Sequence, residues 1–206
     1  MAGFLQSPAP TIRSSLAAAP LRHAALVRVT HWVHTLAFLG LVVSGVAILM
    51  AHPRLYWGET GGFGSPALLE LPLPLNLDQS GWGRSLHFLS AWVAVANGLI
   101  YAISGLKHRR FRTQRQTYNP LQHSAYLTVV FLLFPLVIVT GLAMSPAIGA
   151  ALPFLVNSFG GHQSARTVHF AASGLLLLFL LIHVAMVYRA GFRARMRGMI
   201  TGVKAA

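Results

Sequence analysis

The amino-acid sequence predicts an all-α protein, an integral membrane bundle of four helices. Hydrophobic residues make up 55% of the 206-residue chain and charged residues only 9%, whereas a soluble domain carries about 25% charged residues. Four apolar segments each have roughly the 20 residues that a membrane-spanning helix needs. They cover approximately residues 29–51, 83–106, 121–144 and 167–190. We therefore expect four spans, with the C-terminus on the same side as the N-terminus.

The positive charge of the chain is confined to alternate loops. Thirteen of the 16 Lys and Arg residues lie in the N-terminal segment, the loop between spans 2 and 3 and the C-terminal segment. The other three, Arg54, Arg84 and Arg166, lie with all three acidic residues on the opposite side of the predicted membrane, where the charges sum to zero. This is the positive-inside pattern, and it predicts that both termini and the middle loop are cytoplasmic. Because the charge follows the loops, it does not indicate nucleic-acid binding.

The elements outside the spans are read from their composition. Residues 1–22 are rich in Ala, Pro and Ser and lack the apolar core of a signal peptide, so we expect a disordered cytoplasmic tail. Residues 23–206 then form one four-span domain. The outer loop 52–82 is rich in Gly and Pro and carries all the acidic residues.

Two further features concern the third span and the loop after it. Pro135 lies inside span 3 and is expected to kink it, because proline cannot donate a backbone hydrogen bond. In the second outer loop, residues 147–159 are apolar but too short to span, so we expect one short helix along the membrane surface.

An arginine stands three residues before a histidine at the start of three apolar segments. On a helix, residues three apart lie on one face. The histidine, just inside the bilayer, can ligate a metal, while the arginine, nearer the water, can hold a carboxylate. Haem needs both, since it has an iron and two propionates. The pairs are Arg28/His31, Arg84/His87 and Arg166/His169.

The depths of four histidines predict two cofactor levels. His183 follows His169 by 14 residues on span 4, which is about 21 Å along a helix axis and close to four whole turns. His31 and His183 lie near the cytoplasmic ends of spans 1 and 4, whereas His87 and His169 lie near the outer starts of spans 2 and 4. The predicted ligand pairs are therefore His31/His183 and His87/His169, with His34 as a substitute for His31. Because the chain has no cysteine, the two haems b would be bound non-covalently.

Each of these assignments has an alternative. Gly45 and Gly98 share the ligand faces of spans 1 and 2, where they would let a porphyrin pass, but small residues also serve ordinary helix packing. The three arginines could be interfacial anchors that extend toward water. Zinc is less suited, since its sites cluster their ligands and often include cysteine or carboxylate. We find no repeat beyond the recurring Arg-x-x-His.

Several strings resemble a known family. They are Arg28-Val-Thr-His31-Trp32, Gly83-Arg84-Ser-Leu-His87, the spacing of His169 and His183, and Gly198-Met-Ile-Thr-Gly202. The chain resembles the di-haem cytochrome b subunits of formate dehydrogenase, nickel–iron hydrogenase and thiosulfate reductase. The resemblance implies the pairs His31/His183 and His87/His169, in the lipid of a bacterial inner membrane.

The family also binds a quinone near the cytoplasmic haem, beside a Tyr-Asn-x-x-Gln run. This chain has Tyr118-Asn119-Pro-Leu-Gln122 before span 3. Amide groups can hydrogen-bond a quinone carbonyl, so the resemblance implies a quinone site there, with His183 nearby. The same residues are also typical of the start of a helix, with Asn119 as the N-cap and Pro120 at the first helical position.

The resemblance implies electron transfer between the quinone pool and a periplasmic redox protein. The Tyr-Asn-Pro-Leu-Gln run and the C-terminal motif are similar to cytochromes that accompany periplasmic molybdopterin oxidoreductases. An electron-transfer subunit is favoured over a stand-alone enzyme. The alternative is a superoxide:quinone oxidoreductase, in which Arg54, Arg84 and Arg166 would steer a small anion. The direction of electron flow, the quinone type, the haem potentials and the oligomeric state stay open.

Overall fold

The computed structural model describes residues 24–62, 64–73, 80–108 and 120–202, so the predicted N-terminal tail lies outside the described part. Four helical segments are long and apolar enough to cross a membrane, which confirms the predicted all-α, multi-pass membrane fold. They are α1 (Ala25–Ala51), α2 (Ser80–Lys107), a composite third span and α7 (His162–Arg189). We call the end of the bundle that carries residues 52–73 and 144–161 the outer end, and the opposite end the inner end.

The third span is helical throughout but not uniform. It consists of α3 (Pro120–Thr128), a π-helical turn (Val129–Leu133) and α4 (Phe134–Ala143). The π turn ends two residues before Pro135, where the sequence predicts a kink. A proline cannot donate to the carbonyl four residues back, and the wider π turn accommodates this interruption without ending the helix.

The four spans form two hairpins, α1 with α2 and α4 with α7. In the described part of the chain, backbone packing is dense within each hairpin and sparse between them. The α1–α2 contact is close because α1 buries small residues there, and a Cβ on Gly40 would collide with Ser90 of α2. Side chains link the hairpins instead, including His87 to His169 and His34 to Phe134. The backbones of the two hairpins are thus separated by side chains, and an interior cofactor would require such a separation.

The second outer loop differs from its prediction. Instead of one surface helix, the chain forms two short helices, α5 (Pro146–Ala151) and α6 (Pro153–Ser158). The break falls at Leu152, whose φ of −132° and ψ of 68° are not helical. A residue before proline is pushed out of the helical region by the proline ring, so Pro153 explains the break.

The first outer loop contains a short antiparallel pairing that the sequence did not predict. Strand β1 (Arg54–Leu55) pairs with β2 (Leu69–Glu70). Arg54 and Glu70 face each other in this register and form a salt bridge of 2.9 Å. The pair therefore neutralises one of the acidic residues of the loop within the chain.

The same loop is anchored on the start of α7. The Gly58 amide donates to Ser164 Oγ at 2.7 Å, and Thr167 Oγ1 donates to the Tyr56 carbonyl at 2.6 Å. Gly161 has a φ of 116°, and a Cβ there would lie 2.5 Å from the Gly58 backbone. The sequence predicts that the fourth span begins at about residue 167, but α7 begins at His162. Its first turn is polar and binds the loop, so it extends the helix beyond the apolar segment.

A short helix, α8 (Phe192–Thr201), follows the last span at the inner end. It is held against the start of α1 by two side chains. Arg28 Nη1 donates to the Ile200 carbonyl at 2.7 Å, and Trp32 Nε1 donates to the Met199 carbonyl at 3.2 Å. Gly202 ends the helix with a φ of 82°, and a Cβ there would lie 3.0 Å from the Arg28 guanidinium carbon. The C-terminal motif thus packs on the Arg-x-x-His-Trp sequence of α1.

Candidate functional site

Two predicted ligands, His87 and His169, meet between the hairpins at the outer level. Their ring centres are 6.2 Å apart and their planes are inclined by 60°. His87 comes from α2 and His169 from α7, so each hairpin supplies one imidazole. The structure therefore brings together the pair that the sequence predicts for the outer haem.

Each of these imidazoles is held by a hydroxyl from the other helix of its own hairpin. Ser44 Oγ of α1 lies 3.0 Å from His87 Nδ1. Thr140 Oγ1 of α4 lies 2.9 Å from His169 Nδ1. Both hydroxyl groups belong to fully buried residues, each with 0% of its surface exposed. Water therefore does not compete for either hydrogen bond.

The hydrogen bonds of the two hydroxyls determine which ring nitrogen carries the proton. Ser44 Oγ donates to the Gly40 carbonyl at 2.6 Å, and Thr140 Oγ1 donates to the Leu136 carbonyl at 2.7 Å. A hydroxyl has a single proton. Once it donates to the carbonyl, it can only accept from the imidazole, so Nδ1 carries the hydrogen and the lone pair is on Nε2. This tautomer leaves Nε2 available to a metal.

The geometry at this level fits a haem iron. Two imidazoles on opposite sides of one metal ion, each with a metal–nitrogen bond of about 2 Å, have ring centres about 6 Å apart. The observed separation is 6.2 Å. The donor set, two neutral imidazoles with no nearby thiolate, is also one that haem iron accepts.

Glycine follows the hydroxyl residue in both helices. A Cβ on Gly141 would lie 3.5 Å from His169 Cε1, and one on Gly45 would lie 3.9 Å from His87 Cε1. Cε1 lies between the two ring nitrogens, so a side chain at either glycine would stand close to its imidazole, and glycine adds none there. Gly45 thus lies at the outer level, as the sequence predicts. A Cβ placed on Gly98 would meet no other described residue within 4 Å, apart from the neighbouring backbone of its own helix.

The sequence analysis missed Ser44 and Thr140. A repeat identifies them: residues 43–47 read Val-Ser-Gly-Val-Ala and residues 139–143 read Val-Thr-Gly-Leu-Ala. The statement that no repeat exists beyond Arg-x-x-His is therefore wrong. The two repeats supply equivalent contacts, since each hairpin uses its first helix for the hydroxyl and its second helix for the histidine.

The histidines at the inner level have aromatic surroundings. His34 of α1 packs edge-on against Phe134 of α4, with ring centres 5.0 Å apart. His183 of α7 stacks on Phe179 at 6.1 Å. His31 lies edge-on to Trp32 at 5.3 Å. These contacts do not decide between His31 and His34, so the inner ligand pair stays a prediction.

The three arginines of the Arg-x-x-His pairs have different surroundings. Arg28 donates through Nη1 to α8, while its Nε is buried without a hydrogen-bond partner among the described residues. Arg166 donates to the His52 carbonyl at the outer end. Burial and the positive charges of Arg166 and Arg84 lower the pKa of His52 below its ordinary value. Arg84 and Arg166 therefore both lie within electrostatic range of His52.

The predicted quinone residues are described only in part. Tyr118 and Asn119 lie outside the described residues, and so does the side chain of Gln122. The α3 helix begins at Pro120. Of the four predicted quinone contacts, only the His183 side chain is described, and its assignment stays a prediction.

Comparisons with known proteins identify the family of the chain. The family model for prokaryotic cytochrome b561 matches residues 22–202. A protein of Azospira oryzae, named provisionally as the protein-methionine-sulfoxide reductase subunit YedZ1, is 28% identical over 193 residues, which cover 80% of this chain and 89% of the relative. No solved structure matches the chain. The family implies haem b and electron transfer within a membrane. The chain belongs to the prokaryotic cytochrome b561 family.

Proposed function

We propose that this protein carries electrons across the bacterial inner membrane, between a quinone near the cytoplasmic face and a redox protein on the periplasmic face. The observation that supports this best is the His87/His169 pair, whose ring centres are 6.2 Å apart between two hairpins. Its hydroxyl partners leave both Nε2 atoms free to bind iron. In this proposal the termini are cytoplasmic and the outer end is periplasmic, in line with the positive charge of the N- and C-terminal segments.

Two haems b would be held at two levels. His87 and His169 would hold the outer haem, and His31 and His183 the inner one, with His34 as the substitute for His31. When bound, haem supplies a metal that accepts and releases one electron at a time. Two imidazoles would complete the coordination of each iron, which would suit electron transfer and leave no position for oxygen. The single helix α7 carries ligands for both levels and so fixes the distance between them.

The arginines would neutralise the haem propionates. Arg84 and Arg166 lie near His52 at the outer end. Arg28 has a buried Nε–H available at the inner end. A buried donor that lacks a partner is costly, and an ionised carboxylate would satisfy it. Each side chain would keep its propionate charged as the electron moves.

A quinone would bind on the cytoplasmic side, beside Tyr118, Asn119, Gln122 and His183. Their amide, hydroxyl and imidazole groups can donate hydrogen bonds to quinone carbonyls. The relative from Azospira oryzae is named as a reductase subunit. By likeness, we propose that the periplasmic partner is a molybdopterin oxidoreductase that receives electrons from this chain, so that a quinol is oxidised at the inner end.

The contacts of the outer arginines favour this subunit role over a stand-alone superoxide:quinone oxidoreductase. Arg54 is bound to Glu70 in a salt bridge, and Arg166 donates to the His52 carbonyl. An enzyme that attracts a small anion would be expected to present these guanidinium groups in an open pocket. Here the guanidinium groups of Arg54 and Arg166 are both engaged within the chain.

Haem stoichiometry after substitution of single histidines tests the proposal. We expect two haems b per wild-type chain and one in His87→Ala or His169→Ala, with the remaining haem reduced by quinol as in the wild type. His108, which is exposed beyond the end of α2, provides the matched control, and His108→Ala should keep both haems. A pure wild-type protein without haem, or His87→Ala with two haems, would refute the proposal.

A further inference from the structure

The two buried hydroxyls at the outer level have the same arrangement, although they come from different helices. Ser44 and Thr140 each accept from the Nδ1–H of one histidine and donate to the backbone carbonyl four residues earlier. Each also lies within hydrogen-bond distance, 3.2 Å, of the carbonyl three residues earlier. The hydroxyl oxygen is therefore fixed by its own helix before it meets the imidazole.

From this arrangement we propose that Ser44 and Thr140 are positioning residues for the outer haem, each fixing the ring plane of its histidine and keeping Nε2 as the ligating nitrogen. The inference rests on the proposed ligand role of His87 and His169. It goes beyond that role, because Ser44 and Thr140 would control how the two imidazoles are oriented and how strongly they bind the metal.

The physical basis is the rotation of a histidine side chain about its terminal bond. A surface histidine turns freely and can present either nitrogen to a metal. The hydroxyl contacts, 3.0 Å for His87 and 2.9 Å for His169, are made at the Nδ1 atoms and so restrict this rotation. In this proposal, the positions of the hydroxyls on α1 and α4 set the angle between the two ring planes, which is 60°. Hydrogen bonds from the non-ligating nitrogen also raise the basicity of a metal-bound imidazole.

Helical hydroxyls without this role provide the comparison. Thr30 of α1 is 4% exposed and makes the same pair of backbone contacts, to Leu26 at 2.8 Å and Val27 at 3.2 Å. Its described hydrogen bonds do not include a histidine ring. Thr30→Val therefore removes a hydroxyl of the same kind without affecting the outer pair.

The experiment uses the haem-loaded protein in detergent with the variants Ser44→Ala and Thr140→Val. The electron paramagnetic resonance spectrum of an oxidised haem depends on the angle between its two axial imidazoles. We expect the largest g value of the outer haem to shift in both variants and its midpoint potential to rise, because a less basic imidazole stabilises the oxidised iron less. Loss of the outer haem to an excess of haem-free acceptor protein should become about 10-fold faster or more. Ser44→Thr, Thr140→Ser and Thr30→Val should leave these signals of the outer haem unchanged.

The inner haem reports whether each variant has folded, since its signals should be unchanged. If Thr140→Val does not assemble, Ser44→Ala, which adds no bulk, carries the same test. Unchanged spectra, potentials and haem loss in Ser44→Ala would overturn the proposal. So would equal shifts in Ser44→Thr and Thr140→Ser, because packing and not the hydroxyl would then be responsible. Failure of the ligand assignment is distinguishable, since His87→Ala would then keep both haems.

Discussion

The contact between α1 and α2 yields a quantitative prediction at Gly40. In the structure, a Cβ on Gly40 would collide with Ser90 Oγ and lie 3.3 Å from Ser90 Cβ. Ser90 is 7% exposed and is enclosed by the hairpin. The substitution Gly40→Ala must therefore separate the two helices slightly or force the serine into another rotamer. Because Ser44 lies one turn further along α1, its contact with His87 should be disturbed as well.

The expected change in the free energy of unfolding of Gly40→Ala is the balance of two opposing effects. Overpacking a close contact costs about 1–3 kcal/mol. Replacing glycine by alanine inside a helix stabilises it by about 0.5–1 kcal/mol. We therefore expect Gly40→Ala to lower the free energy of unfolding by up to about 2.5 kcal/mol. Gly174 of α7 provides the matched control. Outside the neighbouring backbone of α7, a Cβ placed there meets none of the residues that the structure describes within 4 Å, so Gly174→Ala should stabilise the protein.

Unfolding in mixed detergent micelles, followed by helix content and haem absorbance, measures these differences. The Ser90→Gly substitution removes the group that the new Cβ meets. The double variant Gly40→Ala/Ser90→Gly should therefore recover most of the loss, with a coupling energy of about 0.5–3 kcal/mol between the sites. The reasoning is refuted if Gly40→Ala is as stable as Gly174→Ala, or if Ser90→Gly recovers nothing.

Three further predictions follow from the two ends of the bundle. Trp32→Phe removes the donor of the hydrogen bond to the Met199 carbonyl, which is worth about 0.5–1.5 kcal/mol. Trypsin should therefore cleave α8 about 2- to 10-fold faster in this variant. The control variant Trp92→Phe, at an exposed position, should be cleaved at the wild-type rate. His52 has a pKa lowered from 6.5, so the native state binds fewer protons than the unfolded one. The contribution of His52 to the free energy of unfolding should be fully present above about pH 6.5 and should fall as the pH decreases below that value. The melting temperature of His52→Gln should therefore fall less between about pH 7.5 and 5.5 than that of the wild type. An equal fall would contradict this assignment. Gly161→Ala places a side chain on a residue with a φ of 116° and directs it against the first outer loop. We expect the free energy of unfolding to fall by at least about 1–3 kcal/mol. An unchanged value would show that the loop is not anchored there.

Much of the bundle could be predicted from the sequence because hydropathy acts locally. A segment of apolar residues must form a helix in lipid, where each backbone group needs an internal partner. The four spans were therefore predicted to within a few residues, except at α7, where polar residues extend the helix to His162. The levels of His87 and His169 were also predictable, since depth in a membrane follows from position along a span.

The partners of these residues were not predictable in the same way. Ser44 meets His87 across a separation of 43 residues, and Thr140 meets His169 across 29. Arg28 reaches the carbonyl of Ile200 over 172 residues. A hydropathy pattern carries no information about which helices pair or how they are rotated, and this rotation decides what each side chain contacts.

The sequence by itself determined that this chain crosses a membrane four times and presents histidines at two depths, because transfer into lipid is decided residue by residue. Only the tertiary structure decided that the imidazoles of His87 and His169 stand 6.2 Å apart, each oriented by a hydroxyl from a neighbouring helix. That arrangement depends on packing and on directional hydrogen bonds between distant segments, which exist only once the helices are assembled.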